Sequence, residues 1–93
     1  MVLDFDCKET KAIWLGQLSR RLPAEIQAIA RRKLRMLNNA ATLADLRIPP
    51  ANRLGAHKGS RRGQHSIRIN DQWRICFVWS TAGVKAVGIV DYH

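Results

Sequence analysis

The sequence predicts an α+β fold: two N-terminal helices packed on an antiparallel sheet of about four strands, with a short edge strand at the N-terminus. Three observations carry this. Apolar residues recur at helical spacing through residues 7–39. The stretch QHSIRINDQWRICFVW, residues 64–79, alternates apolar and polar residues on either side of an Asn-Asp-Gln step, which is how a half-buried hairpin is written. After a second turn, residues 84–90 leave neither face polar, as in a strand buried on both sides. At 93 residues the chain has room for one domain, residues 1–93, with a modest two-layer core.

In chain order, Val2, Leu3 and Phe5 are strand formers ahead of a polar break, so residues 1–5 are the edge strand. Trp14, Leu15, Leu18 and Leu22 share one arc of a 3.6-residue period and predict a first helix over 7–22, with Asp6 as its N-cap. Pro23 suits the first turn of a second helix over 24–39. Its apolar stripe is Ile26, Ile29, Ala30, Leu34 and Leu37, with Arg31, Arg32 and Arg35 on the opposite side. Lys33 sits near the stripe and must snorkel. Thr42 caps a single turn over 43–46, Pro49-Pro50 forces an extended connection, and residues 52–57 support a strand. Residues 58–63, Lys-Gly-Ser-Arg-Arg-Gly, form a glycine-bracketed basic turn leading into the hairpin.

One face of that hairpin carries Ile67, Ile69, Trp73, Ile75, Phe77 and Trp79, the other Ser66, Arg68, Arg74 and Cys76. If Ile69 pairs with Trp73 across a three-residue loop, Arg68 falls opposite Arg74, and like charges so placed weaken a ladder. Two explanations remain open: an anion binds between them, or each guanidinium finds water or a carboxylate elsewhere.

The net charge is +9, with nine basic and five acidic groups in residues 1–50 and seven and two in residues 51–93, so the excess is spread and forms no tail. Such a balance points to a polyanion or an acidic protein as partner. No apolar run approaches membrane-spanning length and the start, MVLDFDCKET, is unlike a signal peptide, so a cytoplasmic location is expected. Cys7 and Cys76 fit no metal spacing and are expected as reduced thiols. His57, His65 and His93 likewise stand in no ligand pattern, and no metal or other cofactor is expected. His65 alternates with Ile67 and belongs at the edge of the apolar face, while Trp14, Trp73 and Trp79 occupy core-type positions more than base-stacking ones.

The last strand delivers Asp91, Tyr92 and His93 to its end. Histidine titrates near neutral pH and is the natural acid or base, with Asp91 able to orient it or take a proton itself. As a bare tripeptide the motif is more often simply the solvated end of a chain. Its expected company raises the weight of a catalytic role: Lys58, Arg61, Arg62, Arg68 and Arg74 lie on the neighbouring turn and hairpin, and such cations stabilise the charge of a phosphorane transition state. That set suits RNA cleavage by the ribose 2′-hydroxyl, which needs proton transfer at two oxygens and positive charge on the phosphate.

The segment RLGAHKGSRRGQHSIRINDQWRICFVW, with the terminal IVDYH and the helical KETKAIW and ARRKLRML, resembles the HigB-type toxins of bacterial type II toxin–antitoxin systems, within the RelE/ParE superfamily. The resemblance implies a RelE/ParE-like toxin that cleaves messenger RNA in the ribosomal A site without a cofactor. It also implies a HigA-type helix-turn-helix antitoxin as partner, with operator DNA contacted only through that antitoxin. It assigns Asp91, Tyr92, His93, Arg74 and Lys58 to catalysis, and Arg68, Arg61, Arg62 and His57 fit RNA phosphate binding beside them. One departure stands out: some members have a catalytic His where this chain has Gly55, so either His57 substitutes or His93 carries more of the work. The competing readings are a non-catalytic gyrase inhibitor of the ParE kind, since one fold hosts both activities, and a plain RNA-binding module.

Overall fold

The computed structural model describes residues 1–56 and 63–91. Two helices, α1 (Lys8–Trp14) and α2 (Ala24–Asn39), pack against a four-stranded antiparallel sheet of β1 (Gly55–Ala56), β2 (His65–Arg68), β3 (Trp73–Ser80) and β4 (Gly83–Asp91), in the order β1-β2-β3-β4. This is the expected α+β arrangement, built as a meander of sequential neighbours.

The core lies between α2 and one sheet face. Ile26, Ala30, Leu34 and Leu37 of α2 are buried against Ile67, Ile75, Phe77, Val84 and Val87, with Ile13 of α1 closing one side. Each fully buried aliphatic side chain contributes about 1.5–3 kcal/mol relative to an exposed one. Trp14, Trp73 and Trp79 are half-buried and pack against this cluster, and the ring of Trp14 lies 6.1 Å from that of Phe5. The outward residues of α2 divide: Arg32 and Arg35 are exposed, whereas Arg31 turns back to donate from Nε to the carbonyl of Ile13 at 3.1 Å.

The first helix is shorter than its apolar arc suggests. Gly16, at φ 84°, closes it: the Gly16 amide donates to Ile13 O and the Gln17 amide to Ala12 O, the paired bonds of a Schellman stop. Residues 17–22 are therefore a loop, and Leu15 and Leu18 are exposed. Buried Gln27 satisfies that loop's backbone, accepting from Ser19 N and donating to Ser19 O and Leu22 O. The N-cap is Cys7, still extended at φ −148°, ψ 155°, and not Asp6, whose amide bonds to Val87 O. Pro23 stands just before α2, in extended conformation, instead of inside its first turn.

The N-terminal edge element takes the form of two isolated parallel bridges, Val2 with Val84 and Phe5 with Val87. Beyond it, Thr10 of α1 continues the cover by accepting from the Ile89 amide at 3.0 Å. The outer edge of β4 is thereby withheld from pairing with another chain. Residues 84–90 lack alternation for a reason other than burial on both sides. The β3–β4 register shifts between Cys76 and Val78, and Ala86 takes a left-handed φ of 51°, so a bulge inserts one residue and sends Val84, Val87 and Ile89 to the same core face. Asp4 accepts from the Ala86 amide and holds the bulge, and Lys85 is exposed.

Between α2 and β1 in the chain, Thr42 and Asp45 form a capping box at the start of a 3-10 turn, Leu43–Arg47, and the amides of Thr42 and Ala41 hold the Asp45 carboxyl below its usual range. A second 3-10 turn, Pro50–Asn52, occupies the start of the stretch expected as strand, so β1 is confined to two residues. Its last residue is the fully buried Asn52.

Candidate functional site

The hairpin forms in the expected register, with Arg68 opposite Arg74 and Ile67 opposite Ile75. Its three-residue loop is set by Asn70, whose side-chain oxygen accepts from the amides of Gln72 and Trp73 while Ile69 N donates to Trp73 O. The like-charged pair is tolerated because the two arginines part company. Arg68 forms an ion pair with Asp71 in the loop. Arg74 turns the other way: Nε donates to Ser66 Oγ at 2.7 Å, and Nη2 donates to the carbonyls of Arg53 at 2.6 Å and Ser66 at 3.3 Å.

Arg53 owes that carbonyl direction to an unusual backbone. It sits at φ 45°, ψ 54°, left-handed for a residue with a Cβ, a conformation that persists where its surroundings fix it. What fixes it is Asn52. The buried amide accepts from Lys33 Nζ, donates to Leu46 O at 3.0 Å and reaches Met36 Sδ at 3.1 Å, and the Arg53 amide closes the turn on Pro50 O. Lys33 does not snorkel to solvent; it is 6% exposed. Desolvation first, then the positive charges of Arg32 and Arg68, pushes its ammonium below the ordinary lysine pKa.

Asp91 ends β4 opposite Trp73, exposed, and accepts from Gln72 Nε2 at 3.0 Å. Alternation assigns its Cβ to the Trp73 face and that of Arg74 to the other, so the two residues flank the sheet end from opposite sides. Arg74, Arg68 and Asp91 are thus brought to one end of the hairpin. His57, Lys58, Arg61, Arg62, Tyr92 and His93 lie outside the described residues.

Gly55 pairs with Ser66, beside the Arg74 anchor, and a Cβ there would meet Arg53 O at an ordinary 3.9 Å. His65 stacks on Phe77 at 6.2 Å and 23°, at the edge of the apolar face as expected, and its buried Nδ1 has no hydrogen-bond partner among the described residues. Neither Cys7 nor Cys76 is in a disulfide. Among the described residues no cluster of three or more His, Cys, Asp or Glu side chains could hold a metal ion. Two concavities of about 390 and 440 Å3 are lined by the N-terminal segment, α1 and the 17–21 loop, and by none of the hairpin arginines. The anchors Ser66, Arg53 O and Asn52 were not singled out by sequence. For Ser66 the signal was present, since it alternates onto the Arg74 face; for a left-handed arginine there was none.

The sequence profile of the HigB-like toxins, described as RelE-like toxin of type II toxin-antitoxin system HigB, matches residues 9–93. The chain belongs to the HigB-like toxin family. It is 40% identical over 91 residues to toxin HigB-1 of Vibrio cholerae, covering 91% of this chain and 95% of that protein. It is also 32% identical over 70 residues to an uncharacterized protein of Haemophilus influenzae, covering 75% of this chain and 69% of the relative. As a toxin of a type II system it has an antitoxin as its partner. Among the described residues no helix is long and apolar enough to cross a membrane.

Proposed function

We propose that this HigB-family toxin is a ribosome-dependent endoribonuclease of the cytoplasm that cleaves messenger RNA in the A site and is neutralised by a HigA-type helix-turn-helix antitoxin. The observation that supports this best is Arg74, a guanidinium tied at Nε to the Ser66 hydroxyl and at Nη2 to the Arg53 and Ser66 carbonyls, at the sheet end where the terminal Asp-Tyr-His begins. A cation so oriented suits the charge that develops on a phosphoryl group, because little reorganisation is left for the moment of reaction.

In this reading the 2′-hydroxyl attacks the adjacent phosphate. His93, with Asp91, moves the two protons, one off the nucleophile and one onto the departing 5′-oxygen. The products are a 2′,3′-cyclic phosphate and a 5′-hydroxyl. Tyr92 stacks on or orients the scissile nucleotide, Arg74 and Lys58 face the phosphorane, and Arg68, Arg61, Arg62 and His57 hold neighbouring phosphates. Arg68 must first leave Asp71, which is inexpensive, since Asp71 is almost fully exposed and such a pair is worth about 0–1 kcal/mol. Ribosomal contacts supply much of the substrate binding, and the basic surface makes that binding salt-sensitive.

The test is expression of wild type, Arg74→Ala and His93→Ala in cells, with mapping of 5′-hydroxyl messenger RNA ends. Codon-phased ends are expected for wild type and a loss of at least roughly 100-fold for both variants. Growth arrest without new RNA ends, together with inhibited gyrase supercoiling, would replace this reading by the ParE-like one.

A further inference from the structure

We propose that Asn52 and Lys33 are positioning residues for Arg74, acting through the left-handed backbone of Arg53. Its consequence for catalysis rests on the endoribonuclease reading above; its consequence for Arg74 does not.

Arg74 is on a strand, so its Cα is fixed by the ladder, but a long, half-buried side chain keeps several rotamers unless its head is held. Of the acceptors that hold it, Ser66 Oγ and O come with the strand next door, whereas Arg53 O comes from a connecting turn with no ladder bonds of its own. That carbonyl aims at Arg74 only while Arg53 stays left-handed, a state an L-residue with a Cβ disfavours. Nothing in the Arg53 side chain explains the choice.

The preceding residue does. Asn52 is 0% exposed and its amide is engaged by the Lys33 ammonium, the Leu46 carbonyl and the Met36 thioether, which tie it to α2 and to the first 3-10 turn. With Asn52 locked and the Arg53 amide bonded to Pro50 O, the Arg53 carbonyl is set where Nη2 finds it. A buried lysine satisfied by a neutral amide is a poor device for stability alone, because its desolvation is only partly offset. It is a good one for holding a turn in a single geometry.

The experiment follows the Arg74 Nε–H directly. In 15N-labelled full-length toxin this resonance is assigned by its disappearance in Arg74→Lys, and its hydrogen exchange is measured alongside the Ile75 and Phe77 amides. In Asn52→Ala and Lys33→Met the Arg74 Nε–H, which exchanges through local opening, is expected to exchange at least about tenfold faster, while the two core amides remain protected and accelerate by no more than the global stability loss measured in denaturant. Arg53→Val, a β-branched residue that tolerates φ 45° poorly, should act likewise; Arg53→Gly, which adopts it freely, should keep the protection. On programmed ribosomes, Asn52→Ala should lower the single-turnover cleavage rate by about 10- to 100-fold with the half-saturating concentration changed by less than about twofold, the mark of misplacement and not of lost binding.

Wild-type exchange at Arg74 in folded Asn52→Ala, or equal exchange in Arg53→Val and Arg53→Gly, would overturn the proposal. If Asn52→Ala does not fold, the two Arg53 variants decide. If wild type leaves ribosome-bound messages intact, the enzymatic reading fails, and the exchange measurements still decide the positioning.

Discussion

Replacing Asn52 by Ala tests how the buried polar cluster between α2 and the 3-10 turns is balanced. The substitution removes the acceptor from the Lys33 ammonium, 6% exposed, and a donor from the Leu46 carbonyl. A buried polar group stripped of its partner is worth about 1–3 kcal/mol, more when charged, so the two together predict a loss of about 3 kcal/mol. That is roughly two orders of magnitude in the folding equilibrium, a large share of the about 5–15 kcal/mol by which a domain is stable.

The pH dependence gives the sign a second check. In the folded wild type the Lys33 ammonium already titrates below its ordinary 10.5, chiefly through desolvation, and without Asn52 it titrates lower still. The unfolded chain then holds its proton to higher pH than either native state. Stability therefore rises with pH through this window, and rises first in the variant. The destabilisation should be greatest at neutral pH and shrink as pH approaches 10.5. Urea unfolding followed by tryptophan fluorescence at neutral pH and near pH 10 measures both. A loss under about 1 kcal/mol, or one that grows with pH, would refute the account of a buried ammonium held by one amide.

Gly83→Ala should cost about 1–3 kcal/mol and release the N-terminal segment, since at φ 147° the new Cβ would stand 2.7 Å from Met1 O and 2.8 Å from Leu3 Cγ; faster exchange of the Leu3 and Asp6 amides is the readout. Arg68→Ala should change stability by less than about 1 kcal/mol in thermal melts, because its ion pair with Asp71 is exposed, and should reduce RNA cleavage less than Arg74→Ala does. Gly55→His should fold without strain, as among the described residues a Cβ there comes within 4 Å of Arg53 O alone, at an ordinary 3.9 Å, and should raise cleavage of ribosome-bound RNA; unchanged cleavage in a folded variant would argue that His57 or His93 already fills that role.

Much of the fold was legible because local pattern and global arrangement agree. The stripe of α2 and the alternation around Asn70-Asp71-Gln72 each name one structure, and the arginine register followed from loop length alone. The misreadings share a cause: an apolar residue does not say what buries it. Leu18 fits the arc of α1 yet is 81% exposed, because Gly16 ends the helix one turn earlier. Residues 84–90 looked buried on both sides, yet a single left-handed alanine moves Val84 and Val87 onto one face.

At the candidate site the limit is of another kind. Sequence shows side chains, and much of the Arg74 anchor is backbone: the carbonyls of Arg53 and Ser66 carry no residue-specific signature. The one signature available, Lys33 intruding on an apolar stripe, read as a side chain that must reach water; it instead reaches Asn52, two turns of helix and a proline-rich loop away. That reversal resolves the oddity of Arg68 facing Arg74. A single anion between them would have to neutralise both, whereas here Asp71 engages one and backbone oxygens orient the other. The pair is asymmetric before any ligand arrives, with Arg68 held by an exchangeable surface ion pair and Arg74 by a geometry that traces back to the buried core. Substitutions at the two positions should therefore separate by mechanism: loss of Arg68 should weaken binding most at low salt and flatten its salt dependence, and loss of Arg74 should slow the bound complex.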